Sequence, residues 1–502
     1  MQRIGIIDLG SNTTRLIVME YQKNLCFKLV DEVRHTVRLI EGMSDDNMLQ
    51  PAAMERALEA MHMFQSLCQA TGTTEIITVA TSAVRDAVNQ VSFLQRIKDE
   101  TGLTMRVLSG REEAYYGYLG IVNSLPLYDG VSIDIGGGST EITEVREREF
   151  VRGVSMQVGV VRYKDRYVTT DPISKREFAA LERGVAVAFQ DVNWLASTGL
   201  PMLVGVGGTV RNLAKIDQKR RGYPLERIHG YELTLTALEE ITELLRKQSI
   251  TERASMPGLN SDRADLIVPG AVILRQLMRQ GHFERLIVGG QALREGLFYE
   301  HFLAGQSMSM FDNPRSFNVE NLCRLWNYDE RHSKKVREIC FSLFDQLQPL
   351  HGFRAWEREI LGYAALMHDI GIQVGYYDHH KHSEYLVVNS ALPGFTHREV
   401  AMLALLVRGH RKGDLDIDTY AMVLEPGDET RALQLGAMLR LAEYLERTKT
   451  QVVQSLRLEF VGSSIIAHVQ LNGDGTAELI NANQRTKLFR KAFGRDLELV
   501  AP

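Results

Sequence analysis

Short apolar runs bounded by turn residues fill the first three hundred positions of this chain, and a helical period takes over after them. Ile4–Ile7 and Arg15–Glu20 read as paired strands around a turn at Gly10–Asn12, with a third strand near Phe27–Val33. From Pro51 to Thr71 apolar residues recur at Met54, Leu58, Met61 and Leu67 behind an initial proline, which predicts a helix. Ile76–Ala80 is a strand, and Thr81–Ala87 (T-S-A-V-R-D-A) enters a second helix. Thr104–Leu108 is a strand running into a helix opened by Ser109–Ala114 (S-G-R-E-E-A). Later come a strand at Glu149–Ser155, a long helix over Ser174–Ala196, a strand at Met202–Val206 and a helix over Asp262–Arg279. A strand, glycine turn and helix over Ile287–Leu297 close this part near Gly305. From Asn318 to about Thr448 the period is helical throughout, and strand-like alternation returns at Leu456–Phe460 and Ile465–Leu471.

The chemistry concentrates where strands end. Val131–Glu141 (V-S-I-D-I-G-G-G-S-T-E) is a buried strand ending in Asp134, then three glycines, then Ser139, Thr140 and Glu141. Gly136, Gly137 and Gly138 carry no Cβ, so backbone N–H groups there can close on an anion. An acid before such a turn stands where a cation bridging phosphate oxygens needs a ligand. The same order occurs 126 residues earlier, where Asp8 precedes Gly10, Ser11 and Asn12. Two strand–Asp–glycine-turn–strand units predict a duplicated, two-lobed domain with phosphate held between the lobes. A third glycine turn, Gly205–Leu213, opens a helix, and its Gly207, Gly208 and Thr209 offer a further anion site. Arg85, one turn into its helix, is a candidate phosphate contact against the plainer reading of a surface ion-pair partner. In S-G-R-E-E-A, Glu112 and Glu113 are adjacent on a first helical turn, so at most one of them points into a cleft.

Composition narrows the classes. A 502-residue chain with 44% apolar and 24% charged residues builds several cores, and its lack of Pro-rich or Gly/Ser-rich tracts excludes extended disorder. No apolar run reaches a membrane span, and Met1 leads directly into a strand, so a cytoplasmic protein without a signal peptide is expected. Cys26, Cys68, Cys323 and Cys340 form no C-x-x-C pair and read as reduced thiols. A net charge of −5 argues against a general polyanion coat and against sequence-specific nucleic-acid binding, so a polyanion needs a local basic track. Candidates for that track are Arg211 and the basic run that follows it, then His379, His380 and His382, then Arg408, Arg411 and Lys412.

Eight of the fourteen histidines fall between His332 and His410. His332 followed by His368–Asp369 at the end of an apolar helix resembles the HD phosphohydrolase signature, in which such side chains hold divalent metal. The last acid of that signature is ordinarily an Asp on a late helix; here L-A-E-Y-L-E-R offers Glu443 and Glu446.

Taken in order, D-L-G-S-N (Asp8–Asn12), T-S-A-V-R (Thr81–Arg85), S-G-R-E-E-A, D-I-G-G-G-S-T-E (Asp134–Glu141), G-V-G-G-T (Gly205–Thr209) and L-R-E-G (Leu293–Gly296) resemble the exopolyphosphatase/guanosine pentaphosphate phosphohydrolase (Ppx/GppA) family. The later H-H-K-H-S-E-Y-L-V-V-N-S (His379–Ser390) is similar to the helical domain of its long members. The resemblance implies an α/β fold: a duplicated actin-like (ribonuclease H-like) two-lobed ATPase-type domain, an all-α HD-like domain and a small α/β C-terminal module. The corresponding ranges are 1–124 and 125–306 for the lobes, 312–450 for the helical domain and 451–502 for the last module. It implies Glu113 as the catalytic base, Asp134 and Glu141 at Mg²⁺ or another divalent cation, and phosphate contacts from Asp8, Gly10–Asn12, Arg85 and Gly136–Ser139. A monovalent cation and a homodimer belong to the same expectation. The substrate the resemblance implies is linear polyphosphate, cleaved from its end; pppGpp is the alternative, with ppGpp as a related ligand. Kinase and non-catalytic binding readings of the scaffold fit less well, because the paired acids favour water as acceptor.

Overall fold

The computed structural model describes residues 1–43, 47–306, 309–413 and 415–501. They form two compact units, Met1–Pro314 and Arg315–Pro502.

The first unit contains two mixed sheets flanked by helices. In one, β1 (Gln2–Leu9), β2 (Thr13–Gln22), β3 (Cys26–Thr36), β4 (Glu75–Ala80) and β5 (Arg106–Val107) lie in the order β3-β2-β1-β4-β5. In the other, β6 (Gly130–Ile135), β7 (Thr140–Arg146), β8 (Glu149–Met156), β9 (Met202–Val206), β10 (Glu232–Thr234) and β11 (Arg285–Val288) lie in the order β10-β11-β9-β6-β7-β8. The plan is the same in both. A first strand pairs antiparallel with the second and parallel with the fourth. The register repeats as well: Asp8 faces Arg15 across β1/β2, and Asp134 faces Glu141 across β6/β7. Val131, Ile133 and Ile135 alternate along β6 and so bury one face of the central strand, while Ser132 and Asp134 point to the other.

Three expected helices differ in extent. Thr81–Ala87 yields only the single turn Ser82–Arg85, because the chain is drawn off by Val88 N–H to Asn47 O and by Asn89 pairing with Leu49. Asp262–Arg279 resolves into a 3₁₀ turn at Ser261–Arg263 and a helix Ile267–Gln280, which places Pro269 in a first turn, where its missing N–H costs nothing. Ser174–Ala196 is α-helical over Lys175–Ala188 and continues as 3₁₀ structure past a kink at Val192.

The helix Leu293–Phe302 follows the second sheet in the chain yet packs on the first lobe. Gly120 of the helix Gly110–Val122 would, with a Cβ, lie 2.2 Å from Ala292 O. Phe298 stacks on Phe302 at 5.5 Å and meets Tyr21 and Phe27 edge-on at 6.0 and 5.0 Å. Each such pair contributes about 0.5–1.5 kcal/mol beyond its buried area. The first lobe is therefore assembled from two separated stretches of chain, rather than from 1–124 alone.

The second unit is built on the helices Glu330–His351, Ala355–Met367, His379–Asn389, His397–Gly409 and Asp428–Leu445. A small sheet, β12 (Val453–Val461), β13 (Ser464–Leu471) and β14 (Asp496–Val500), closes it, with two short helices crossing between the parallel pair β13 and β14. Gln346 ties the sheet to the first of these helices, donating to Leu456 O and accepting from Leu458 N–H. All four cysteines are free and buried. Among the described residues no helix is long and apolar enough to cross a membrane.

Candidate active site

The two Asp–glycine turns of the first unit face each other across a cleft lined by Asp8, Ser11, Asn12, Gly136, Gly137 and Ser139, with Glu113, Asp134 and Glu141 in its wall. Their approach is close. A Cβ on Gly137 would lie 2.9 Å from Asn12 Cβ, and one on Gly138 would lie 2.6 Å from Ser82 Oγ. The glycine run thus lets one turn rest on the other, a role additional to the anion contact its sequence suggests. Ser11 Oγ is engaged with Ser82 Oγ at 2.7 Å and accepts the Ala83 N–H at 3.1 Å, which fixes the first turn.

The two glutamates of S-G-R-E-E-A separate as helix geometry requires. Glu112 closes a capping box, accepting the Ser109 N–H at 2.8 Å while Ser109 Oγ accepts the Glu112 N–H. Glu113, about 100° further round the helix, turns into the cleft and accepts a 2.7 Å hydrogen bond from Arg85 Nη1. Arg85 also donates to Leu108 O at 3.0 Å. It holds Glu113, a role additional to the phosphate contact expected of it. Thr209 departs from its expected place: it is buried against Gly270, whereas Gly207 and Gly208 remain in the cleft wall. Gly207, at φ +89°, passes so close to Asp134 that a Cβ there would be 2.5 Å from Asp134 Oδ1.

Burial and mutual repulsion raise the acids. Burial and the nearby Glu141 charge push Glu113 well above the ordinary carboxyl range, against the pull of Arg85. Burial, with the charge of Asp134, moves Glu141 up to about 7, although Ser155 Oγ donates to it at 2.6 Å. Burial moves Asp134 up to about 6, opposed by Arg211 and reinforced by Asp8. Asp8 is raised by burial despite Arg294, whose Nη1 stands 3.5 Å from it. Its Oδ1 is buried without a hydrogen-bond partner.

Opposite the acids stands an arginine set that sequence reasoning missed, apart from Arg211. Arg15, Arg211, Arg263 and Arg294 all line the cleft. Burial and the charges of Arg294 and Arg211 bring Arg15 down to about 9, and burial brings Arg263 down to about 10. The Nε groups of Arg263 and Arg294 are buried and unpartnered. Crowded guanidiniums with spare N–H groups are arranged to receive an anion of high charge density. The available signal was Arg294 within L-R-E-G and Arg15 as an inward-facing cation on an apolar strand. Beyond this set the cleft continues into a pocket lined by Arg15, Arg34, Arg211, Lys215 and Arg263.

In the second unit His332, His368 and Asp369 come together, as their sequence order suggests, and Glu443 joins them. Among the expected track residues, Arg408 pairs with Glu384 and Lys412 with Asp378, while Arg411 lies over the Tyr376 ring at 5.3 Å. His382 makes no part of the inward cluster, but His379 and His380 are buried, not displayed on a surface. The basic look of H-H-K-H therefore does not translate into a row of free cations.

Two similar α/β lobes that bring glycine turns, buried acids and arginines to one cleft define a protein made to hold and cleave phosphoryl groups. A model of the Ppx/GppA phosphatase family matches residues 17–304, and a model of that family's domain III matches residues 315–485. The chain belongs to the Ppx/GppA phosphatase family and is a hydrolase of phosphoanhydride bonds. Among solved structures it resembles an exopolyphosphatase from Cytophaga hutchinsonii, at 25% identity and a TM-score of 0.56 over 60% of this chain and 98% of that one. It also resembles a Ppx/GppA enzyme from Aquifex aeolicus, at 25% identity and a TM-score of 0.51 over 59% of this chain and 98% of that one.

Proposed function

We propose that the cleft of the first unit is an exopolyphosphatase site, releasing orthophosphate from the end of linear polyphosphate. The observation that carries the choice of substrate is the pocket continuing from the cleft. Arginine and lysine line it with Glu32, Asn212 and Asn260, and among the described residues its lining has no aromatic or large apolar side chain to stack a nucleobase. A chain of phosphates satisfies such a lining, and a purine does not.

Glu113 accepts the proton of the attacking water, and Arg85 holds its carboxylate in place. The water oxygen bonds to the terminal phosphorus, the bridging P–O bond breaks, and its electron pair leaves with the shortened chain. Little covalent work falls to the protein; positioning and charge compensation by the turn N–H groups and by Arg15, Arg211, Arg263 and Arg294 lower the barrier. The carboxylates Asp134 and Glu141, with the unpartnered Asp8 Oδ1 beside them, suit a hard divalent ion such as Mg²⁺. When bound, that ion would neutralise charge on the phosphoryl oxygens. The repeated sheet order supports an actin-like reading of the lobes, and the gathered His332, His368 and Asp369 support an HD-like reading of the helical unit.

Phosphate release from long polyphosphate, short polyphosphate and pppGpp, each with and without Mg²⁺, tests the proposal. Metal-dependent release is expected to be fastest from long polyphosphate. A protein that prefers pppGpp would move the assignment to the nucleotide branch of the same chemistry.

A further inference from the structure

Four imidazoles and two carboxylates meet inside the second unit in a way that hydrogen bonding alone does not satisfy. His332 Nε2, His368 Nε2 and Glu443 Oε2 form a triangle with edges of 3.2, 3.1 and 3.2 Å. His379 Nε2, His410 Nε2 and Asp369 Oδ1 form a second one, with edges of 3.1, 3.2 and 3.6 Å. Asp369 joins the two: Oδ2 is 3.7 Å from His332 Nε2, and Oδ1 is 3.7 Å from His368 Nε2. Metal–ligand bonds of about 2.1 Å give ligand-to-ligand edges of about 3.0 Å in an octahedron and about 3.4 Å in a tetrahedron. Both triangles have the dimensions of a face of such a polyhedron.

The other ring nitrogens explain why the triangles need cations. His368 Nδ1 donates to Ala365 O at 2.8 Å and His410 Nδ1 to Val407 O at 2.6 Å. His379 Nδ1 lies 2.9 Å from Tyr376 O, the shorter of its two contacts beside Arg411 Nη1 at 3.2 Å, and donates to that carbonyl. With the proton on Nδ1, each Nε2 presents a lone pair inward. Lone pairs of His379 and His410 then face each other, and carboxylate oxygens face both groups. Asp369 Oδ1 and His332 Nδ1 are buried without a hydrogen-bond partner. All six side chains are at least nine-tenths buried, so water does not screen them.

We propose that the second unit holds a pair of divalent transition-metal ions, one at each triangle, with Asp369 bridging them. Imidazole-rich ligation selects Mn²⁺, Fe²⁺, Co²⁺ or Zn²⁺ over Mg²⁺. The ions are independent of the cleft in the first unit, whose carboxylate-only donors suit a harder cation. Two carboxylates leave two divalent ions undercompensated, and Lys449, Arg447 and Arg411 add positive charge, at 3.0 Å from Asp369, 3.3 Å from Glu443 and 3.2 Å from His379 respectively. The outward coordination positions therefore take an anionic oxygen ligand, with a phosphoryl group as the chemical class.

The test loads the full chain with Co²⁺ after chelation and desalting, and reads metal content by plasma emission and coordination by visible absorption. Wild type and Asp134→Asn should each retain two Co²⁺ per chain. His379→Gln and His410→Gln should each lose one ion, and Asp369→Ala should lose both, with circular dichroism confirming the folded state. A raised thermal midpoint with Co²⁺ in wild type, absent in Asp369→Ala, supplies a second reading should a variant fold poorly. Inorganic phosphate should change the Co²⁺ spectrum of wild type, and Lys449→Ala should weaken that response. Wild-type chain that retains no Co²⁺ and gains no thermal stability from it overturns the metal centre. Loss of metal in Asp134→Asn with retention in Asp369→Ala overturns it equally. A Co²⁺ spectrum indifferent to phosphate overturns the anion site.

Discussion

The hairpin β1/β2 and the hairpin β6/β7 share a backbone plan and differ at one telling pair. Both put an Asp at the end of the first strand and a glycine after the next residue. Across from Asp8 stands Arg15; across from Asp134 stands Glu141. One hairpin is thus a cation beside an anion and is suited to grip phosphate. The other is a pair of anions whose repulsion a metal ion would relieve. Under the proposed function, the charge of one cross-strand partner would divide a duplicated scaffold into a side that leans to substrate and a side that leans to the cation, with Asp8 shared between them and Glu113 in the cleft wall.

The comparison can be broken most severely at that third acid. Glu113→Gln keeps shape and removes the base, so kcat should fall by about 10²–10⁴-fold while polyphosphate binding stays within a few-fold, read by single-turnover kinetics and a binding titration. Loss on Glu112→Gln instead would reverse the pair. Asp134→Asn and Glu141→Gln strike the cation side; each should raise the Mg²⁺ needed for half-maximal rate by roughly 10-fold or more, since a neutral amide is a poor partner for a hard ion. Arg15→Gln strikes the substrate side and should act chiefly on KM. Loss of one charge-assisted hydrogen bond of about 1.5–3 kcal/mol corresponds to roughly 10–100-fold. An Arg15→Gln enzyme whose metal requirement changed and whose KM did not would dissolve the division of labour.

The smallest effect is on stability. Asp134 at about 6 and Glu141 at about 7 sit above their unfolded values near 4. In metal-free protein the folded state then holds protons that the unfolded chain has released. The stability they contribute is full below about pH 4 and is lost as pH rises through about 6 to 7. The thermal midpoint of the metal-free wild type, relative to Asp134→Asn/Glu141→Gln, should fall between pH 5 and pH 8, and Mg²⁺ should remove most of that fall. A difference independent of pH would mean that the two acids are not proton-holding neighbours.

Sequence pattern reached the duplicated turns because Asp–x–Gly between two apolar strands is a local signal, repeated at a fixed offset. Helix geometry left Glu112 and Glu113 as alternatives, and the resemblance to the Ppx/GppA family singled out Glu113; the capping position of Glu112 in the fold accords with that choice. What sequence pattern could not reach is set by packing between distant segments. Arg85 lies 28 residues from Glu113, and only the folded chain shows that the two pair. Arg263, from a 3₁₀ turn, and Arg294, from a helix, enter the cleft more than a hundred residues beyond Glu141. His379 looks like part of a basic run, and His410 stands beside another, until the helices that carry them close on Asp369.

The helix Leu293–Phe302 bears on how the chain is made. Its seat on the helix Gly110–Val122 is emptied of side-chain bulk, since a Cβ on Gly296 would sit 1.9 Å from Tyr116 O. About 180 residues separate the end of one helix from the end of the other. At ordinary synthesis rates the ribosome needs roughly 10–40 s to supply them. Throughout that interval every strand of the first sheet has been synthesised, while the helix that covers Tyr21 and Phe27 has not. A nascent chain halted before Leu293 should therefore expose that aromatic surface to a chaperone, and one extended past Phe302 should not.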